Sequence, residues 1–194
     1  MEIDQLSGFL VFGVKDDEVN VVALRADDVT HSLMVINHEH HEIHEGTTFR
    51  YSDSLIMASA ATQVYLITTP NTTKWAHFTL DIDGSAITAV DVYEGSDRSG
   101  TTLQTAYNAN RNSNNINTTI IHKDISGGTT DGTKIYGYKS GSSSNQSRSA
   151  AIVDHDSEVV LKQNTKYLVR ITSGTTDNLV NVLFNWYEHT SLTS

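Results

Sequence analysis

Between Asn164 and His189 (NTKYLVRITSGTTDNLVNVLFNWYEH) two apolar-alternating runs, Tyr167–Ile171 and Val180–Trp186, flank a polar Gly/Thr/Asp/Asn break. A period of two sends successive side chains to opposite faces of an extended strand, and a helix cannot use it. Two such runs around a turn-forming break predict a β-hairpin. The same alternation is clearest from Trp75. In WAHFTLDI, residues Ala76, Phe78, Leu80 and Ile82 share one face, and Trp75, His77, Thr79 and Asp81 the other. Asp83-Gly84 follows, and strand composition resumes over Ile87–Tyr93, which predicts a second hairpin with a type I′-like turn.

Elsewhere the chain reads the same way. Short apolar runs lie at Phe49–Tyr51, Leu55–Ala61, Val64–Thr68, Ile116–His122, Lys134–Tyr138, Ala151–Val153 and Val159–Leu161. Turn signals separate the strands at intervals of about eight to twelve residues, which favours a sandwich or barrel over a parallel sheet. With one proline in 194 residues, turns rest on Gly, Asn, Asp, Ser and Thr. No run has convincing helical periodicity. The expected fold is an all-β, jelly-roll-like antiparallel sandwich over 37–194, with long polar surface loops at 94–115 and 139–149. Residues 1–36 stand apart: FLVFGV and VNVVAL, separated by Lys15-Asp16-Asp17-Glu18, predict an N-terminal β arm or hairpin, and Leu33–Ile36 is a third apolar run. Whether it opens the sandwich or folds against a neighbouring subunit is left open by the residues.

Charge and composition exclude several functions. The formal net charge of −10 opposes contact with nucleic acid. No window approaches the ~18 consecutive apolar residues of a spanning helix. The acidic first residues lack the basic start of a secretory signal, so folding in a cytoplasm is expected. The absence of cysteine removes disulfides and thiolate metal sites.

The one compositional oddity is His38–Glu45, HEHHEIHE. Read as a strand, His38, His40, Glu42 and His44 share a face, a donor set suited to Zn²⁺ or Ni²⁺. Side chains two apart on a strand stand ~7 Å from each other, too far for one ion ~2 Å from each ligand without a bend. The helical zinc motif H-E-x-x-H is one residue short at His41-Glu42-Ile43-His44. No nucleophile elbow or phosphate-binding glycine loop is present. Asp81, Asp83 and Asp91 are explained by turn and solvent-facing strand positions rather than as paired catalytic carboxylates. No catalytic, cofactor-binding or metal residue is therefore assigned, no cofactor is expected, and the chain is not expected to be an enzyme. Trp186 is in phase with Val180, Val182 and Phe184 and belongs to the core, whereas Tyr107, inside a polar loop, suits a contact surface.

Four segments carry a family resemblance: Glu39–Gly46 (EHHEIHEG), Pro70–His77 (PNTTKWAH), Asn108–Ser113 (NANRNS), and Leu161–Ile171 with Asn185–His189 (LKQNTKYLVRI, NWYEH). In order and spacing they resemble the tailed-bacteriophage head decoration or cement proteins over about residues 37–189, leaving 1–36 and 139–149 unmatched. The resemblance implies a jelly-roll sandwich that binds the outer surface of the head shell and stabilises it. It further implies a major capsid protein partner, a homotrimer, residence on the virion after assembly in a host cytoplasm, and no direct contact with nucleic acid or membrane. Two other classes are set beside it. One is a β-sandwich carbohydrate-binding or adhesion module reading sugars through loops 94–115 and 139–149. The other is a metal-dependent enzyme built on His38–His44.

Overall fold

The computed structural model describes residues 9–10, 24–25, 38–142 and 158–190. The chain forms two compact units, Met1–His41 and Glu42–Ser194. In the first, β1 (Phe9–Leu10) pairs antiparallel with β2 (Leu24–Arg25), with Phe9 opposite Arg25. The charged turn predicted at 15–18, the run at 33–36 and Ala151–Val153 lie outside the described residues.

The second unit is a sandwich of two antiparallel sheets. One contains β3 (Thr48–Met57), β5 (Lys74–Gly84), β8 (Tyr107–Asn108), β11 (Val159–Leu161) and β13 (Asn178–Thr190), in the order β11-β5-β13-β3-β8. The other contains β4 (Thr62–Thr68), β6 (Thr88–Glu94), β7 (Ser99–Leu103), β9 (Ile120–Ser126), β10 (Thr133–Ser140) and β12 (Lys166–Ser173), in the order β10-β6-β12-β4-β9-β7. Removing β7, β8 and β9 leaves β11-β5-β13-β3 facing β10-β6-β12-β4, with consecutive strands passing from sheet to sheet except for β6 and β10, which pair in one sheet. That winding is the double Greek key of a jelly roll. The inserted β7–β9 segment lengthens both sheets at one flank.

Alternation sets the core. Val180, Val182, Phe184 and Trp186 of β13, with Ala76, Phe78 and Ile82 of β5, face Tyr65, Ile67, Val92 and Val169 of the opposite sheet, and all are buried. Aromatic rings run through the centre: Tyr65 meets Phe184 edge-on at 5.4 Å, Phe184 meets Phe78 at 5.5 Å, and Phe78 stacks on Trp186 at 5.8 Å. Each such pair adds about 0.5–1.5 kcal/mol beyond the area it buries.

Both predicted hairpins are corrected. β5 and β6 belong to different sheets, as do β12 and β13, so each break is an arch over the edge of the sandwich. At the first, Gly84 lacks the positive φ that a type I′ turn requires. A Cβ on Gly84 would collide with Thr88 Oγ1, so the glycine serves close packing at the corner. Asn178, fully buried, ties both arches together: its Oδ1 accepts from the Ala86 N–H at 2.9 Å, and its amide donates to Thr88 Oγ1 at 2.9 Å and Ser173 Oγ at 3.2 Å.

The strand reading of His38–Glu45 is also corrected, since these residues form α1, an eight-residue helix. Apart from Ile43 it lacks β-branched residues, and a Schellman cap stops it: Gly46 N–H donates to Ile43 O at 3.0 Å, Thr47 N–H to Glu42 O at 3.1 Å, and Gly46 has φ +71°. The three-histidine strand face therefore does not exist. The polar stretch 94–115 is not one long loop, because it contributes β7 and β8.

Candidate functional site

The two flanks of the sandwich are built differently. On the flank that carries the insertion, polar groups seal the gap between the sheets. Asp53 of β3 accepts from Tyr65 Oη at 2.7 Å and from Lys123 Nζ of β9 at 2.8 Å, and Tyr51 Oη bridges Asp53 and Gln104. Burial raises the Asp53 carboxyl, but Lys123 and Tyr65 act the other way and hold it below the ordinary carboxylate value. The phenols of Tyr51 and Tyr65 are pushed well up, by burial first and by Asp53 second.

The polar insertion is fastened down as well. Asn110 and Asn115 donate to the carbonyls of His44 and Glu45 at 3.0 and 3.3 Å, satisfying the open C-terminal end of α1. Asn108, buried, donates to Gly46 O at 2.7 Å. Glu188, 2 % exposed, accepts from Thr118 N–H at 2.9 Å, Thr119 N–H at 2.8 Å and Trp186 Nε1–H at 3.0 Å. The motifs EHHEIHEG, NANRNS and NWYEH are thus spent on one another and on the strand that follows.

Among the described residues, the opposite flank is open. Edge strands β10 and β11 stand on either side of a cavity of about 170 Å³ whose walls include Ile67, Phe78, Val92, Leu161 and Val169. Its rim is apolar and reaches solvent: Ile135 and Tyr136 are 45 % and 44 % exposed, and Val159 is 48 % exposed. A register shift between Lys134 and Tyr136 leaves Ile135 without a partner on β6, and this bulge lets both Ile135 and Tyr136 line the cavity. The Tyr167 ring forms one wall, and its hydroxyl donates to Glu94 at 3.0 Å. Burial, then Glu94, pushes that phenol up to about 12.

Glu158 is the carboxylate at this rim. It accepts from His77 Nδ1–H at 2.5 Å and Tyr187 Oη at 3.0 Å, and the His77 ring stacks on Tyr187 at 4.5 Å. His77 occupies the outward face of β5 that alternation gives it. Sequence reasoning did not find this group. Its local signal is the adjacent apolar pair Ile135-Tyr136, which breaks the period of two on a short strand.

The residues singled out from sequence fall as follows. Trp186 is in the core, 1 % exposed. Tyr107 is 59 % exposed, with the Arg111 guanidinium 5.4 Å over its ring. Asp81 and Asp83 lie on the outer face of one sheet, while Asp91 lies on the other sheet in an ion pair with Lys134, so the three do not converge. His40, His41 and His44 of α1 are exposed. Among the described residues, no three His, Asp or Glu side chains form a metal-holding group. No helix among them is long and apolar enough to cross a membrane.

No family model matches this chain, and no curated protein or solved structure matches it either.

Proposed function

We propose that this chain is a decoration protein of a tailed-phage head, which binds the outer surface of the shell through the major capsid protein and stabilises it, as a homotrimer. The observation that carries the reading is the open apolar flank. Among the described residues, two edge strands present Ile135, Tyr136 and Val159 to solvent around an apolar cavity. Contiguous apolar surface on an otherwise polar rim marks a contact surface, and free strand edges invite a partner unless something covers them. The four segments that resemble those of the head proteins also support the reading. Several of their side chains, among them Asn108, Tyr167, Trp186 and Glu188, are buried in the fold rather than presented for contact.

Adhesion of this kind needs no chemistry. A subunit that seats ~1,000 Å² against its partner binds specifically, and repetition over a symmetric shell multiplies weak contacts into firm attachment. The net charge of −10 keeps the free chain dispersed before assembly.

Co-sedimentation of the purified chain with expanded heads tests this. Binding to expanded heads is expected, together with its loss in the double variant Ile135→Asp/Val159→Asp, which should fold normally because both positions are half exposed. Failure of the wild-type chain to bind such heads, combined with selective retention on a glycan array, would favour a carbohydrate-binding module. The exposed Tyr107–Arg111 pair is the surface that module would use.

A further inference from the structure

Tyr107 of β8 stands opposite Arg50 of β3, and opposite residues of an antiparallel ladder send their side chains to the same face. Their neighbours Asn108 and Phe49 point into the sandwich and are buried, so Tyr107 and Arg50 lie on its outer surface, both exposed. The ladder continues from Arg50 to Asn185 of β13 and on to Thr79 of β5. The result is a row of phenol, guanidinium, amide and hydroxyl across four strands. Strands ~4.8 Å apart make the row ~14 Å long, the length of a short oligosaccharide. Arg111, also exposed, holds its guanidinium 5.4 Å over the Tyr107 ring.

The charge here runs against the rest of the chain. Arg98 and Arg170 share Asp131, and Lys123, Lys134 and Lys162 are paired with Asp53, Asp91 and Glu94. Arg50 and Arg111 have no carboxylate partner among the described residues. No Asp or Glu occurs between 99 and 123, in a chain of net charge −10. Two uncompensated guanidinium groups beside one exposed ring make an anion-attracting surface with an apolar patch.

We propose that Tyr107, Arg50 and Arg111 bind a carboxylate-bearing saccharide. A guanidinium fork matches a carboxylate with two parallel hydrogen bonds, and a guanidinium stacked on a ring keeps its N–H edge free to make them. The phenol ring offers an apolar surface to the C–H face of a pyranose. Asn185 and Thr79 continue the row with groups that donate to and accept from sugar hydroxyls. Arg111 is also held in place: the backbone N–H groups on either side of it, Asn110 and Asn112, donate to Asn108 Oδ1 at 2.9 Å and Asn110 Oδ1 at 3.1 Å. A fixed loop loses little freedom on binding. An acidic peptide fits less well, because peptides dock along strand edges or in grooves and this row crosses the face of a sheet. The inference rests on the carbohydrate reading above and not on shell binding, since β8 and β11 end their sheet on opposite sides with β5, β13 and β3 between them.

An array of galacturonate, glucuronate and sialate oligosaccharides beside their methyl esters, probed with the tag-free full chain, is the test. Retention on a carboxylated saccharide is expected, weakened about tenfold in its methyl ester, which cannot pair with a guanidinium as an ion. Binding should fall as salt rises. Arg50→Gln and Arg111→Gln should each weaken it about fivefold, and Tyr107→Ala about tenfold. All three positions are exposed, so the unfolding midpoint and co-sedimentation with expanded heads should not change. Methyl esters retained as strongly as the acids would keep the carbohydrate reading and overturn this inference; no retention at all would overturn both. The inference also fails if hexaglutamate displaces the saccharide at equal concentration, or if the folded variants bind as the wild type does.

Discussion

The two flanks of this sandwich solve the same problem in opposite ways. Both must end a pair of sheets whose inner faces are apolar. At one flank the β7–β9 insertion adds strands, and Asp53, Tyr65 and Lys123 close the seam with polar side chains whose partners lie within the protein. At the other, β10 and β11 end the sheets among the described residues, and Ile135, Tyr136 and Val159 are half exposed above a cavity of about 170 Å³. The first arrangement is self-sufficient. The second, among the described residues, leaves apolar surface exposed. On the proposed function, the difference assigns stability to one side of the molecule and contact to the other.

That division breaks if substitutions on the two flanks cost alike. Ile121 of β9, 1 % exposed, should give the largest effect: Ile121→Ala removes well-packed core volume and should lower the urea unfolding free energy by about 4 kcal/mol. Glu188→Ala should follow at about 3 kcal/mol in the same measurement, because it strands the half-buried amide of Thr118, the buried amide of Thr119 and the Trp186 indole N–H without an acceptor.

Asp53→Asn should cost about 1–2 kcal/mol near neutral pH. Its carboxyl is held below the ordinary value of 3.8 in the folded chain, so it stabilises the fold above that pH and loses the contribution as pH falls through the lower folded value. Urea titrations at stepped pH should therefore show the gap between wild type and Asp53→Asn closing below about pH 3.8. A gap that widened in acid would contradict the Lys123–Asp53–Tyr65 seam.

Val159→Ala, on the open flank, should change stability least, by about 0.5 kcal/mol, while reducing sedimentation with expanded heads. A loss of about 2 kcal/mol or more on this side would mean that the flank is structural, and the comparison would fall.

How much of this was legible beforehand depended on range. Alternation in WAHFTLDI and VNVLFNW marked which side chains enter the core, and Phe78, Ile82, Phe184 and Trp186 are buried as that pattern requires. Pairing was not legible. Asp83-Gly84 and the Gly174–Asn178 break carry residues common to hairpins and arches, and what separates the two is whether the next strand finds its partner in the same sheet. Here Asn178 makes that choice through contacts to Ala86 and Thr88, some ninety residues away. HEHHEIHE was misread because charged helices and polar strands look alike over eight residues. The deciding contacts, from Asn110 and Asn115 to the helix end, come from a distant segment.

The open flank was hidden for the same reason. Lys134–Tyr138 and Val159–Leu161 each read as unremarkable short strands, and only their positions at the ends of facing sheets turn adjacent apolar residues into a surface. His77 and His189, 112 residues apart in sequence, likewise become a pair only across the β5–β13 ladder.

By itself the sequence determined that this chain builds strands, because side-chain direction in extended backbone repeats every two residues and is written locally. The tertiary structure alone decided which strands are neighbours, which edges are sealed and which side chains meet, because those outcomes follow from long-range packing of two sheets that no short stretch of chain encodes.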